Sequence, residues 1–427
     1  MFVRSLATLF TALLLQLPLS AAHGQTVAME SDQVSGTAAL TMKPQHFHAK
    51  IAGDGGVLGS RTTGSALGVD SVPNWSGYFY EPGIDPFGNG PIFAWTYTMV
   101  GSSPYGAAPA TTIRAPVIPV NIDLRNYDGT PRYVNGHRMF YRARQFVEPV
   151  LESPVFQSSS YDSSATPTQF TDAVQRAEFY NVAPPSWHTL LKPVVRESRT
   201  MKLIRGTYRF ALDADGDCCA FVLVDINTFV NALFPPTSSD TTTPIGAAEN
   251  DGDITTGDMS TFLFPNTYLF FNGDPNQCCV IGFHSYDVEP GNAANGWLEK
   301  RYVVNYSSWI SPGVFRDPNF GDVSALSHEL SETFNDPFVN NTTPWWLSPN
   351  GNCQDNLEDG DVVEGLPNAQ FPIKGEDRTY HLANEALLQW FASVTPSTAI
   401  GGAYSYPDKT VLTTANVSQK FGCAGPL

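Results

Sequence analysis

The stretch GDVSALSHELSETFNDP, residues 321–337, combines a helical period with a group of metal-ligating side chains. Leu326, Leu330 and Phe334 recur four apart, as do His328, Glu332 and Asp336, so each set lies on one face of a helix. At about 100° per residue the two stripes lie roughly 200° apart. The leucine stripe is expected to face a core, and the histidine stripe a cleft or solvent. Pro337 cannot continue the helix and biases its predecessor to extended backbone, so the helix is expected from about Asp322 to Asn335.

The string His328-Glu329-x-x-Glu332 is one letter from HExxH, in which two histidines hold zinc and the intervening glutamate activates a bound water. A carboxylate can ligate zinc, so His328 and Glu332 are candidate ligands and Glu329 the candidate general base. An anionic ligand in place of a neutral one makes a bound water less acidic, which suits a harder divalent metal or a modest activity. A site with an open position needs a third protein ligand. Asp336 lies on the stripe, one turn further along. The acidic loop CQDNLEDGD, residues 353–361, can fold back over the helix, and Glu358 and Asp361 are its favoured donors.

Outward from the helix, β-branched and aromatic runs of strand length dominate. They are APVIPVNIDL (115–124), KLIRGTYRFAL (202–212), CCAFVLVDI (218–226), NTYLFFNG (266–273), CCVIGFHSYD (278–287) and RYVVNYSSWI (301–310). Helical spacing predicts further helices in QFTDAVQRAEFYN (169–181), INTFVNALF (226–234) and HLANEALLQWFASV (381–394). Residues 72–130 alternate aromatic residues with turn formers and are expected to be mostly β, ahead of a mixed portion over 131–427. The fold class is therefore α+β. His284, on a strand near the helix, is a candidate oxyanion stabiliser.

At the start, Arg4, the apolar run Leu6–Leu19 and the small residues Ser20-Ala21-Ala22 have the layout of a secretory signal peptide over 1–22, cut after Ala22. Residues 23–71 are rich in Gly, Ser, Thr and Ala and are expected to be a flexible leader. No later apolar run reaches the length of a membrane span. A net charge of −17 repels phosphate backbones, so nucleic acid is not an expected partner. Six cysteines in an exported chain point to disulfides. Adjacent cysteines rarely bridge, so the doublets Cys218-Cys219 and Cys278-Cys279 are expected to cross-link to each other, and Cys353 to join Cys423. The acid-rich turns LDADGDCC (212–219) and ENDGDITTGD (249–258) resemble calcium loops without fitting the EF-hand pattern, and calcium is a second candidate ion.

The segments CCVIGFHSY, SHELSETFNDP, CQDNLEDGD and YHLANEALLQWF resemble those of uncharacterised exported bacterial proteins with an HExxE-x3-DP signature. SHELSETFNDP and GFHSY are similar, more distantly, to Exordium or phosphate-induced proteins of plant cell walls. The bacterial resemblance covers most of the mature chain, and it implies a zincin-like mixed sheet with an active-site helix over 131–427. The expected function is that of a secreted or periplasmic zinc-dependent peptidase with a peptide or protein substrate. Two other readings compete. One is a non-catalytic binding or wall-associated protein with a structural metal, using Trp75, Trp95, Trp345 and Trp346 for stacking. The other is a glycosidase built on Glu329 and Glu358.

Overall fold

The apolar runs fold into one twelve-stranded mixed sheet. Its main path uses β1 (Thr111–Arg125), β2 (Arg199–Ile204), β3 (Tyr208–Leu212), β4 (Cys218–Asp225), β5 (Met259–Pro265), β6 (Thr267–Phe270), β7 (Cys278–Glu289) and β8 (Glu299–Trp309). The spatial order is β2-β1-β5-β8-β7-β6-β4-β3. Strands β2, β1, β5 and β8 run parallel, whereas β7 pairs antiparallel with both β8 and β6. The computed structural model describes residues 32–34, 40, 45–46, 68–80, 94–106, 110–349, 351–417 and 422–423. The expected signal peptide over 1–22 lies outside them.

Central strands covered on both faces need apolar side chains on both. Met259, Leu263 and Val303 join one core cluster, and Phe262, Phe264 and Val304 the opposite one. The first face carries α1 (Phe170–Glu178) and α3 (Ser324–Asn335), and the second carries α2 (Ile226–Leu233). This is the expected α+β arrangement. Strand β1 sits in the middle of the sheet, so residues 111–125 and the later strands share one scaffold, and residues 32–427 form one compact unit.

Several expectations change. The described parts of the 23–71 stretch are built into the fold: Gln45–His46 pair with β7, and Val69–Asp70 with β8. Asp32 is buried between Arg132, 2.7 Å away, and Arg205, 3.2 Å away. A few pairings and a buried ion pair thus tie in a stretch whose composition lacks periodicity. The expected helix over 381–394 is a strand (Thr379–Ala383), a short bridge and one turn of helix (Leu388–Phe391). Tyr380 and Leu382 point inward with period two while the strand pairs with Gln370–Lys374, so tertiary pairing overrides helix propensity.

The cysteine doublets do not cross-link. Cys218–Cys219 and Cys278–Cys279 each close on themselves across a cis peptide, with Cα atoms 3.0 Å apart. The doublets start β4 and β7, which flank β6. Two strand spacings, roughly 9.6 Å, exceed the ~7 Å that a disulfide can span. Cys353 joins Cys423, as expected, at a Cα separation of 5.6 Å.

The strand Thr379–Ala383 is stitched to the start of α3. The His381 backbone N–H donates to Asp322 Oδ1 (2.9 Å), its Nδ1 lies 2.8 Å from Asp322 Oδ2, and the Ala383 N–H donates to Ser327 Oγ (2.9 Å). The hydrogen bond to Asp322 raises the His381 imidazole above its ordinary 6.5, against the opposing effect of burial. The proton binds more tightly in the folded state, so this stabilisation is complete below about pH 6.5 and disappears as pH rises through the folded value. His381→Gln is therefore expected to lower the melting temperature at about pH 5.5 and to make little difference near about pH 9. A gap constant with pH would remove this role.

Candidate metal centre

Helix α3 is set by both its ends. Ser324 Oγ accepts from the Gly321 N–H and donates to the Gly321 carbonyl, closing the first turn. At the far end Asp336 leaves the helix at φ −146° ahead of Pro337. Its carboxylate accepts the N–H groups of Asn340 (2.9 Å) and Asn341 (3.0 Å). Asp336 is thus occupied in holding the turn and is not one of the clustered ligands, which corrects its candidate role.

The leucine stripe packs into the core, as expected. The histidine stripe does not face solvent, because every residue of α3 is buried. Strand β7 covers one side, the loop 357–364 another, and Thr379–Ala383 a third. On β7, residues 282, 284 and 286 share the face toward α3 by strand alternation. A Cβ on Gly282 would sit 2.5 Å from Glu329 Oε1, and one on Gly360 2.4 Å from the His328 Cε1 and Nδ1 atoms. Both glycines exist to let those side chains lie flat against backbone.

Six side chains meet in this space. His328 Nε2 lies 2.9 Å from Glu332 Oε1 and 3.5 Å from Asp361 Oδ1, and one ligand atom from each of the three fits within 4.8 Å of the others. Of the two candidate donors in the acidic loop, Asp361 therefore joins His328. Glu358 instead lies 3.6 Å from Nε2 of His284 and accepts from Asn356 Nδ2 at 3.1 Å. His284 is inside the cluster, with Nδ1 3.4 Å from Glu332 Oε2 and 3.7 Å from Glu329 Oε2. That position among anions does not suit an oxyanion stabiliser, so this expectation is corrected. None of the six is more than 5 % exposed.

Burial by itself would lower the two imidazoles, but the surrounding carboxylates outweigh it and hold both well above their ordinary value. Burial would raise Glu332, and His328 pulls it below the usual carboxylate range. Around this centre lie acids that the sequence pattern did not single out. Burial and the Glu332 charge push Asp359 up to about 8, while it accepts from Ser331 Oγ (2.7 Å) and Asn335 Nδ2 (2.8 Å). Burial also raises Glu178, Glu364 and Glu385. Among the described residues, Glu364 Oε1 and both carboxyl oxygens of Glu385 have no hydrogen-bond partner. A carboxyl embedded in an apolar run, as Glu385 is in ANEALLQWF, was the available signal.

The donor set of one imidazole and two carboxylates fits a divalent metal ion, and buried acid oxygens without donors nearby fit a centre designed for positive charge. Several of the former calcium candidates have other partners. Asp251 and Asp253 pair with Arg199, and Asp258 pairs with Arg114. Asp213 accepts the N–H groups of Asp215 (3.1 Å) and Asp217 (2.8 Å). Trp75 and Trp346 are core residues, which removes them as stacking platforms.

No family model, curated protein or solved structure matches this chain. Among the described residues, no helix is long and apolar enough to cross a membrane.

Proposed function

We propose that the chain is an exported metal-dependent hydrolase acting on peptide bonds, with its metal held by His328, Glu332 and Asp361 and with Glu329 as proton acceptor. The observation that carries this reading is the meeting of His328 Nε2 with Glu332 Oε1 and Asp361 Oδ1, next to a carboxylate on the same helix. A bound divalent ion supplies Lewis acidity, polarising a carbonyl and acidifying a water. Glu329 contributes a carboxylate held in place by Gly282, with Oε2 toward the centre, and such a group can take a proton from water. The disulfides support an oxidising, extracytosolic setting. The net charge of −17 favours cationic substrates at low salt.

Glu329→Gln is expected to lower hydrolysis of a labelled peptide mixture by at least about a hundredfold while the ion at His328 stays bound. His328→Ala is expected to lose both. Turnover retained in either variant sinks the mechanism.

A second reading, a purely structural metal centre, is favoured by the burial of all six residues. It predicts no hydrolysis by the fully metal-loaded wild-type protein, and the same peptide assay separates the two.

A further inference from the structure

We infer that the centre holds a second divalent cation, between Nδ1 of His284, Glu329 and Glu332, with Glu332 bridging the two positions. This rests on the reading of α3 as a metal-bearing helix and adds a site to it.

The first argument is the way Glu332 divides its oxygens. Oε1 faces His328 Nε2 at 2.9 Å, and Oε2 faces His284 Nδ1 at 3.4 Å. One carboxylate thus presents a separate oxygen to each of two imidazoles from different elements, the arrangement of a bridging ligand between two cations.

The second argument is the orientation of His284. Its Nε2 lies 3.1 Å from the Asp336 carbonyl, which can only accept, so Nε2 carries the hydrogen and donates it. The other ring nitrogen, Nδ1, is thereby turned to Glu332 Oε2 and Glu329 Oε2, so that an imidazole and two carboxylates from different elements converge on one position. A ring held at Nε2 by a backbone carbonyl, with its other nitrogen turned toward carboxylates, is oriented as a ligating histidine is, and Glu358, 3.6 Å from the same Nε2, adds to the hold.

The separations at this second position suit a metal ion. Two ligands of one tetrahedral ion, each bonded at about 2.1 Å, lie roughly 3.4 Å apart. The His284–Glu332 and His284–Glu329 separations are 3.4 and 3.7 Å, and one atom from each residue fits within 4.8 Å of the others. The charges agree as well. Glu329, Glu332, Glu358 and Asp361 all lie within 3.7 Å of one of the two rings, a concentration of acids that suits more than one cation. Gly282 belongs to this position, since any side chain there would occupy the space of the Glu329 carboxylate.

When the second ion is bound, Glu329 is a ligand, and the one-ion form is the one that leaves it as proton acceptor. The test is elemental analysis of the full exported chain, loaded with zinc and dialysed, alongside His284→Gln, Glu329→Gln and His328→Gln, with circular dichroism to check folding. The expected contents are about two equivalents in the wild type and about one in each variant. Glu329→Gln keeps the side-chain volume and remains informative where His284→Gln does not fold. About one equivalent in the wild type, kept in both His284→Gln and Glu329→Gln, overturns the second position and leaves the first intact. Two equivalents kept in those variants overturn it as well. No metal in a folded wild type overturns the metal reading itself.

Discussion

Removing metal from the purified protein with a chelator should lower its melting temperature by about 5 °C, and restoring zinc should reverse this. His284, His328 and four carboxylates share a space in which no group is more than 5 % exposed. Without the ion those charges repel one another in a medium that cannot solvate them, and uncompensated buried charge costs about 3–5 kcal/mol. Protonation of some acids limits the loss. Unfolding entropy of about 2.1 cal/mol/K per residue gives roughly 0.8 kcal/mol per degree for a unit of this size, so about 4 kcal/mol becomes about 5 °C. Calorimetry at fixed protein concentration, with and without chelator, measures it. Identical melting curves would mean that the acids are satisfied without a cation.

Gly360→Ala should destabilise the protein and weaken its hold on the metal together. The new carbon would lie 2.4 Å from both Cε1 and Nδ1 of His328. The ring is held on its other side by Glu332 and Asp361, so it cannot retreat without leaving the centre. The backbone cannot yield easily either, because the Gly360 carbonyl accepts from the N–H groups of Val363 and Glu364. Overpacking of this kind costs about 3 kcal/mol. Displacing a ligand's support typically lowers metal affinity about 10- to 100-fold. Urea denaturation and a zinc titration read the two effects. Gly257→Ala is the control, since its nearest neighbour would be Thr255 Oγ1 at 3.9 Å and the variant should behave like wild type. Equal behaviour of the two variants would contradict the tight fit against His328.

The sequence made α3 legible because a leucine stripe and a histidine stripe, each with period four, coincide in twelve residues before a proline. It made the strands legible because buried parallel strands read as unbroken apolar runs. The acidic loop was recognisable as a ligand source, and Asp361 is where it meets His328. What the sequence did not reveal depends on contacts between distant segments. That α3 is enclosed on every side requires β7, the 357–364 loop and the Thr379–Ala383 strand together, and none of these is implied by the helix itself. Glu385 sits in a run that reads as an amphipathic helix, where a glutamate belongs on the surface, yet strand pairing turns it inward. The doublets could not be assigned without the strand order and direction, since β6 lies between β4 and β7 and the antiparallel run of β7 puts Cys278 level with Asp225, at the far end of β4 from Cys218. His284 was visible as a residue near the helix, but its position among Glu329, Glu332 and Glu358 follows from how β7, α3 and the acidic loop pack together.

The most direct test of a metal centre on α3 is the metal content of the purified protein after dialysis against metal-free buffer, measured beside His328→Ala. The account predicts at least about one equivalent of a divalent metal in the wild type and about one equivalent less in the variant. A folded wild-type protein without metal, or equal contents in the two, would contradict it.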